Sequence, residues 1–411
     1  MDCTRRTILR AGVGSTLWYA LRGVATASQA GLQASGRVDP SGRVFVLLQL
    51  TGGNDGLNTL IPYRHPVYRA ARPKLAIPPD RVLRLDDEFG LHPSLQPLMA
   101  LLDQGRLGIV QGVGLPDVNR SHFHSLRIWH TARLDSDERT PGWLARVLEA
   151  SDSFQRRRVA ALYVSDTSLP QTFTGGTHQV PSLDRLEDFR LLPDVPPGER
   201  PSQAARLLQA SQSAGTADGA SPALARDRLA SAYDVGRRFE ALVTAPNAVP
   251  YPEDRPLGAR LRLVSQCIRS GLDAMVYSTE LDGFDTHFNQ NTTHPFLLGH
   301  LAAALGAFYQ ELSASGDADR VLTLVYSEFG RRIEENGSAG TDHGTAGPVL
   351  LCGPVKPGVS GAMPDLDHLE DGDPRTTIDF RRVYATVLQR WLSQESSIVL
   401  GERFEPLPLF S

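Results

Sequence analysis

The sequence predicts an α/β fold with a mostly parallel central sheet covered by helices on both faces, and three observations predict it. Short β-branched runs are apolar almost throughout, as in strands buried on both sides. Helical patterns fall between these runs. Polar, glycine-rich segments follow several of the runs directly, where the carboxyl ends of parallel strands form a ligand-binding rim.

The strand-like runs are residues 43–50 (RVFVLLQL), 106–114 (RLGIVQGVG), 158–164 (RVAALYV), 273–279 (DAMVYST), 320–327 (RVLTLVYS) and 347–353 (GPVLLCG). Their near-continuous apolar character suits a parallel sheet with no face in water. Helices are expected over residues 94–104, 258–271, 295–315 and 379–394. Residues 196–255 interrupt the alternation with two helical pieces joined by a Ser/Ala/Gly linker and bounded by proline. This stretch is expected to be a helical insertion that caps one end of the sheet. Residues 40–411 then form the folded domain.

Residues 1–30 stand outside that domain. Arg5 and Arg6 are followed by a moderately apolar stretch from Ile8 to Leu21 and then by small residues up to Ala30. The pattern resembles a twin-arginine export signal, and implies a mature chain delivered folded to the periplasm or beyond. No other apolar run approaches the ~18 residues of a membrane span. The 411 residues are 41% hydrophobic and 21% charged with a formal net charge of −4, which is ordinary globular usage. No basic stripe interleaves with aromatics, so nucleic acid is excluded as a partner. Of the three cysteines, Cys267 and Cys352 remain after cleavage and read as core thiols; whether they pair is left open.

Four runs lead into polar clusters: TGGNDGLN after residue 50, LPDVNRSHFHS after 114, ELDGFDTHFNQ after 279, and EFGRRIEENGSAGTDHG after 327. Sheet geometry brings Asp55, Ser121, Asp285, His287, Glu328, Asp342 and His343 to one rim. Asp285 and His287 share a face if the strand continues through them. A carboxylate and imidazoles converging suit zinc or another divalent first-row metal. Glu328 follows a buried strand, where Arg331 or Arg332 is the alternative partner to an ion. Ser121 and Ser125 are both candidate nucleophiles. Arg120, His122 and His124 beside them can bind an anion or a metal, and the same residues also suit a helix N-cap.

The order of LTGGNDGLNTLIPY, NRSHFHSLRIWHTA, GWLARVL, LDGFDTH, SEFGRRIEENGSAGTDHG and DFRRVYATVLQRWL resembles the bacterial family called domain of unknown function 1501, over about residues 43–393. The resemblance implies an alkaline-phosphatase-like three-layer sandwich and an exported hydrolase of a small anionic ester, most simply a phosphoester. It implies one or two divalent ions, zinc by preference, with Asp55, Asp285, His287, Glu328, Asp342 and His343 as their ligands. Ser121 then stands at the nucleophile's position, and Arg120 offsets charge on the transferred group. Phe329 departs from the pattern, since it stands where the superfamily places a metal-binding histidine. The sulfatase nucleophile motif C/S-x-P-S-R is absent, which disfavours sulfatase chemistry through formylglycine. The contrasting expectation is a non-catalytic binding or assembly module that keeps the fold.

Overall fold

Strand β1 (Val44–Leu50) is buried along its whole length, and its alternate side chains enter two different cores. Val44, Val46, Leu48 and Leu50 face one core, while Phe45 and Leu47 face the other. A strand covered on both sides has no reason to alternate with polar residues, which is why the run is apolar except for Gln49. The structure, a computed structural model, describes residues 42–115, 119–155, 157, 159–178, 180–184, 246–362 and 364–410. The expected signal segment and most of the expected helical insertion lie outside the described residues.

The chain continues through β2 (Leu107–Gly114), β3 (Ala161–Val164), β4 (Ser182–Leu183), β5 (Val276–Leu281) and β6 (Val321–Ser327). A separate hairpin follows, β7 (Arg331–Glu335) with β8 (Thr341–His343), and then β9 (Gly347–Cys352), β10 (Gly358–Ser360) and β11 (Ile378–Asp379). The main sheet has the order β10-β2-β9-β6-β1-β5-β3-β4, with β11 also paired to β2. β1 runs parallel to both β5 and β6.

Six helices matter to the layers: α1 (Gln96–Asp103), α2 (His122–Thr131), α3 (Trp143–Ala150), α4 (Pro256–Arg269), α5 (Gln290–Ser315) and α6 (Phe380–Thr386). α1, α4 and α5 cover one face through Leu98, Leu261, Leu301 and Phe308. α2, α3 and α6 cover the other through Trp129, Trp143, Val147 and Tyr384. The result is a three-layer α/β sandwich.

Two expectations need correction. β9 runs antiparallel to both β2 and β6, against the parallel run expected for residues 347–353. The β7–β8 hairpin joins β6 to β9 without a helix, and only a crossover could have returned the chain in the parallel sense. α5 starts at Gln290, ahead of the expected Pro295. The Gln290 side chain holds the extra turn: its Oε1 accepts from the Thr286 and Thr341 hydroxyls at 3.0 and 2.6 Å, and its amide donates to Asp55. Cys267 and Cys352 are both free and buried, so the disulfide left open by the sequence is not formed.

The ends of β1 and β5 meet at Gly52. Its φ is +118°, and a Cβ there would lie 2.3 Å from the Asp285 nitrogen and 2.8 Å from the Phe284 carbonyl carbon. Gly52→Ala is therefore expected to destabilise the fold by about 1–3 kcal/mol through backbone strain, read as a lower urea midpoint. An unchanged midpoint would show that the two strand ends can separate freely.

Candidate metal centre

Three segments converge on the carboxylate of Asp285. β5 ends at Leu281, so Asp285 and His287 sit in the loop beyond it rather than on one face of a continuing strand. They converge nonetheless, because the chain turns tightly there: His287 Nε2 lies 3.1 Å from Asp285 Oδ1. The hairpin brings His343 Nε2 to 3.2 Å from the same oxygen, and α2 brings His122 Nε2 to 3.6 Å. One ligand atom each from His122, Asp285 and His343 falls within 4.8 Å of the others. His287 adds a fourth donor through Nε2, 2.9 Å from His343 Nε2.

The outer nitrogens of two imidazoles are already assigned. His343 Nδ1 faces the Arg120 carbonyl at 2.7 Å, and a carbonyl only accepts, so this nitrogen carries the proton. In the neutral ring Nε2 is then the nitrogen with the lone pair available to an ion, and it faces the Asp285 carboxylate. Burial lowers the pKa of His343, against the raising effect of its bonds to the Arg120 carbonyl and to Asp285. His122 Nδ1 lies 2.9 Å from Glu328 Oε1, and that hydrogen bond raises the basicity of the ring. Its Nε2 is buried without a hydrogen-bond partner. The Nε2 atoms of His122, His287 and His343 all face Asp285 Oδ1, which also accepts from Arg331 at 2.6 Å. Two histidines and a carboxylate, with a carbonyl and a second carboxylate behind the rings, form a donor set that fits a divalent ion.

Glu328 serves behind this set. Its carboxylate also accepts from the Gly52 N–H at 2.8 Å and bonds the Ser327 hydroxyl at 3.1 Å. It pairs with neither Arg331 nor Arg332, the partners weighed from the sequence. Arg331 instead bonds Asp285 Oδ1 at 2.6 Å. Partial burial acts to raise the Asp285 pKa, but the Arg331 hydrogen bond and charge outweigh it and hold the carboxyl below its usual range. Asp342 lies outside the convergence, half-exposed, and bonds His287 Nδ1 at 3.2 Å.

Asp55 stands apart from this centre. Its carboxylate is fully buried against Arg72 at 2.6 Å, caps the short helix Gly56–Thr59 through the Asn58 N–H at 3.3 Å, and accepts from Gln290. Arg72 is itself fixed by the Ile333 and Arg332 carbonyls, each at 2.8 Å. The sequence places Asp55 after a strand, as a ligand would be, but carries no sign that Arg72 comes back to meet it.

The two candidate serines separate cleanly. Ser121 is the N-cap residue of α2, partly exposed, and its hydroxyl does not bond the helix end. Ser125 is one turn further and fully buried with an unpartnered hydroxyl, out of reach of any solute. The Arg120 guanidinium is engaged by Asp373, so this residue meets the centre through its backbone carbonyl. His122, which the sequence offers only as one of several anion or metal binders, joins the centre because Ser121 starts the helix immediately before it. His124 is not part of the converging group. Phe329 is 2% exposed, with its ring centroid 4.9 Å from that of His122 and 4.8 Å from that of His343.

A family model described as protein of unknown function (DUF1501) matches residues 43–399. No curated protein matches the chain. Among solved structures the chain is similar to the PsFucS1 sulfatase from Pseudoalteromonas sp., at 10% identity over 96% of this chain and 74% of that one, with a TM-score of 0.38. It is also similar to the lipoteichoic acid synthase LtaP from Listeria monocytogenes, at 10% identity over 89% and 79% with a TM-score of 0.35. The alkaline phosphatase of the Antarctic bacterium TAB5 is similar at 11% identity over 76% and 92%, with a TM-score of 0.32.

The buried Asp55–Arg72 pair makes a testable contribution to stability. Burial works to raise the Asp55 pKa, but Arg72, His294 and Gln290 outweigh it and leave the pKa below 3.8. A lowered folded pKa means that the pair's contribution is complete above the ordinary carboxylate range and is lost as pH falls through the folded value. Asp55→Asn is expected to cost about 3–5 kcal/mol at pH 7, since it strands a buried charge. The gap to the parent protein should narrow in urea titrations carried well below pH 4. A gap that stays constant down to pH 2 would rule out ionised Asp55 as its source.

Proposed function

The chain belongs to the family of proteins of unknown function DUF1501, and we propose that it is an exported, divalent-metal-dependent hydrolase of a phosphoester. The observation that carries this reading is the convergence of His122 Nε2 and His343 Nε2 on Asp285, each ring with its Nδ1 bonded from behind. Zinc suits two imidazoles and a carboxylate best. His287 stands ready as a further donor.

A bound divalent ion supplies positive charge at the transferring oxygens and lowers the pKa of a nearby hydroxyl. The chain's own residues do the rest. Glu328 and the Arg120 carbonyl hold the two rings in the tautomer that leaves Nε2 free. Ser121 sits next in sequence to His122, with a hydroxyl unspent on helix capping. The first N–H groups of α2 follow it and favour an anionic group at that end. In the proposed reaction Ser121 Oγ bonds to phosphorus while the ester oxygen leaves as an alcohol carrying the serine proton. Water then attacks phosphorus, releases phosphate and restores the hydroxyl.

A binding module without catalysis is the second reading, and Phe329 favours it. Its buried phenyl ring packs beside both imidazoles and has no donor atom to offer a metal. The sulfatase reading is weaker, given the missing C/S-x-P-S-R motif.

Two experiments separate these readings. The purified protein should bind about one equivalent or more of Zn²⁺ by calorimetry and hydrolyse an aryl phosphate. Ser121→Ala should lower turnover by at least about 10³-fold while changing zinc affinity little, because the hydroxyl forms the intermediate and is not needed to hold the ion. Zinc binding without hydrolysis of any phosphate or sulfate ester would leave the binding module. Export is read separately: replacing Arg5 and Arg6 by lysine should retain the protein in the cytoplasm, seen by cell fractionation. Normal delivery of the doubly substituted chain would reject the twin-arginine route.

A further inference from the structure

Arg120 is not a glycine, yet its φ is +51°. A left-handed backbone is unfavourable for an L-residue and persists only when its surroundings hold it. At Arg120 those surroundings are visible. Its guanidinium is ion-paired to Asp373, a side chain only 1% exposed. Its carbonyl accepts the Nδ1–H of His343 at 2.7 Å.

Asp373 belongs to a loop that is itself anchored. The Pro374 carbonyl accepts from the Thr345 hydroxyl at 2.8 Å, the Leu115 carbonyl from Thr376 at 3.1 Å, and the Gly112 carbonyl from the Thr377 N–H at 3.0 Å. A closed circuit results: His343 to the Arg120 carbonyl, Arg120 to Asp373, and the next residue, Pro374, to Thr345, two residues beyond His343. The second carboxylate oxygen of Asp373 is buried without a hydrogen-bond partner. Asp373 thus accepts a desolvation cost, and Arg120 is its side-chain partner.

We propose that Asp373 and Arg120 are a positioning pair for the metal centre: the ion pair with buried Asp373 holds Arg120 left-handed, so that its carbonyl fixes the Nδ1–H tautomer of His343 and presents Nε2 to the ion. The pair acts through His343 and touches neither ion nor substrate. This rests on the metal-centre reading and adds to it a residue far from the cluster in sequence and without a ligand's role. Partners behind metal-binding histidines typically govern affinity by about 10–100-fold.

The test is Asp373→Asn, which keeps the shape and removes the charge. Calorimetric titration of the purified protein with Zn²⁺ should show affinity at least about tenfold weaker. ¹⁵N spectra of the metal-free protein should show His343 passing from one tautomer to a mixture, a change that a loss of stability alone would not produce. Glycine adopts positive φ without strain, so Arg120→Gly combined with Asp373→Asn should recover most of the lost affinity and the single tautomer. Unchanged affinity and tautomer in Asp373→Asn would overturn the proposal, as would a double variant no better than the single one. A parent protein that binds no zinc would defeat the metal-centre reading instead, and the tautomer comparison in metal-free protein would still judge the pair.

Discussion

The guanidinium of Arg331 is the point on which the strand-end rim depends. Its side chain is fully buried and bonds the carbonyls of Gly52, Gly53, Phe284 and Thr341, together with the Asp285 carboxylate. Those partners come from the turn after β1, the loop after β5 and the second hairpin strand. Strands that end at a rim leave carbonyls with no ladder partner, and an unpaired buried carbonyl is costly. A planar fork of five N–H donors can satisfy several at once, which an ammonium on a flexible stem does less well. The same charge that ties three segments together also keeps Asp285 ionised, so the rim's architecture and the centre's chemistry share one side chain.

The fold was legible because burial on both faces writes itself into composition. RVFVLLQL and the five other apolar runs each coincide with a strand of the sheet or most of one, the run at 273–279 stopping two residues short of Leu281, since a doubly covered strand tolerates such apolar runs. The hairpin was not legible. RRIEE mixes charge with a single isoleucine, and Thr341–His343 is too short to show a period. Without the hairpin, the reversal of β9 could not be foreseen. Helix α2 showed only its capping residues, and its weak apolar pattern hid the remainder.

The centre was legible in part for a related reason. Asp285, His287 and His343 follow strands or turns of the rim, and the sequence points to them by position. What position cannot reveal is a partner distant in the chain. Asp55 has a ligand's position but is committed to Arg72, and Glu328 is committed to His122 and the Gly52 N–H. Arg120 reads as an anion binder, while its carbonyl and its bond to Asp373 belong to the folded state alone.

The position of β1 in the sheet has a consequence for the order of assembly during synthesis. Its two neighbours are β5 and β6, so Phe45 first meets a ladder partner at Val276 and next at Leu322. Such distant pairing gives a high contact order and slow closure, because long loops must be ordered before any contact rewards them. The N-terminal strand therefore waits, unpaired and apolar, while most of the chain is made. That interval exposes a surface prone to misassociation and suited to chaperone binding. The rim cannot assemble before His343 has left the ribosome, which places any loading of the centre late, in a nearly complete chain.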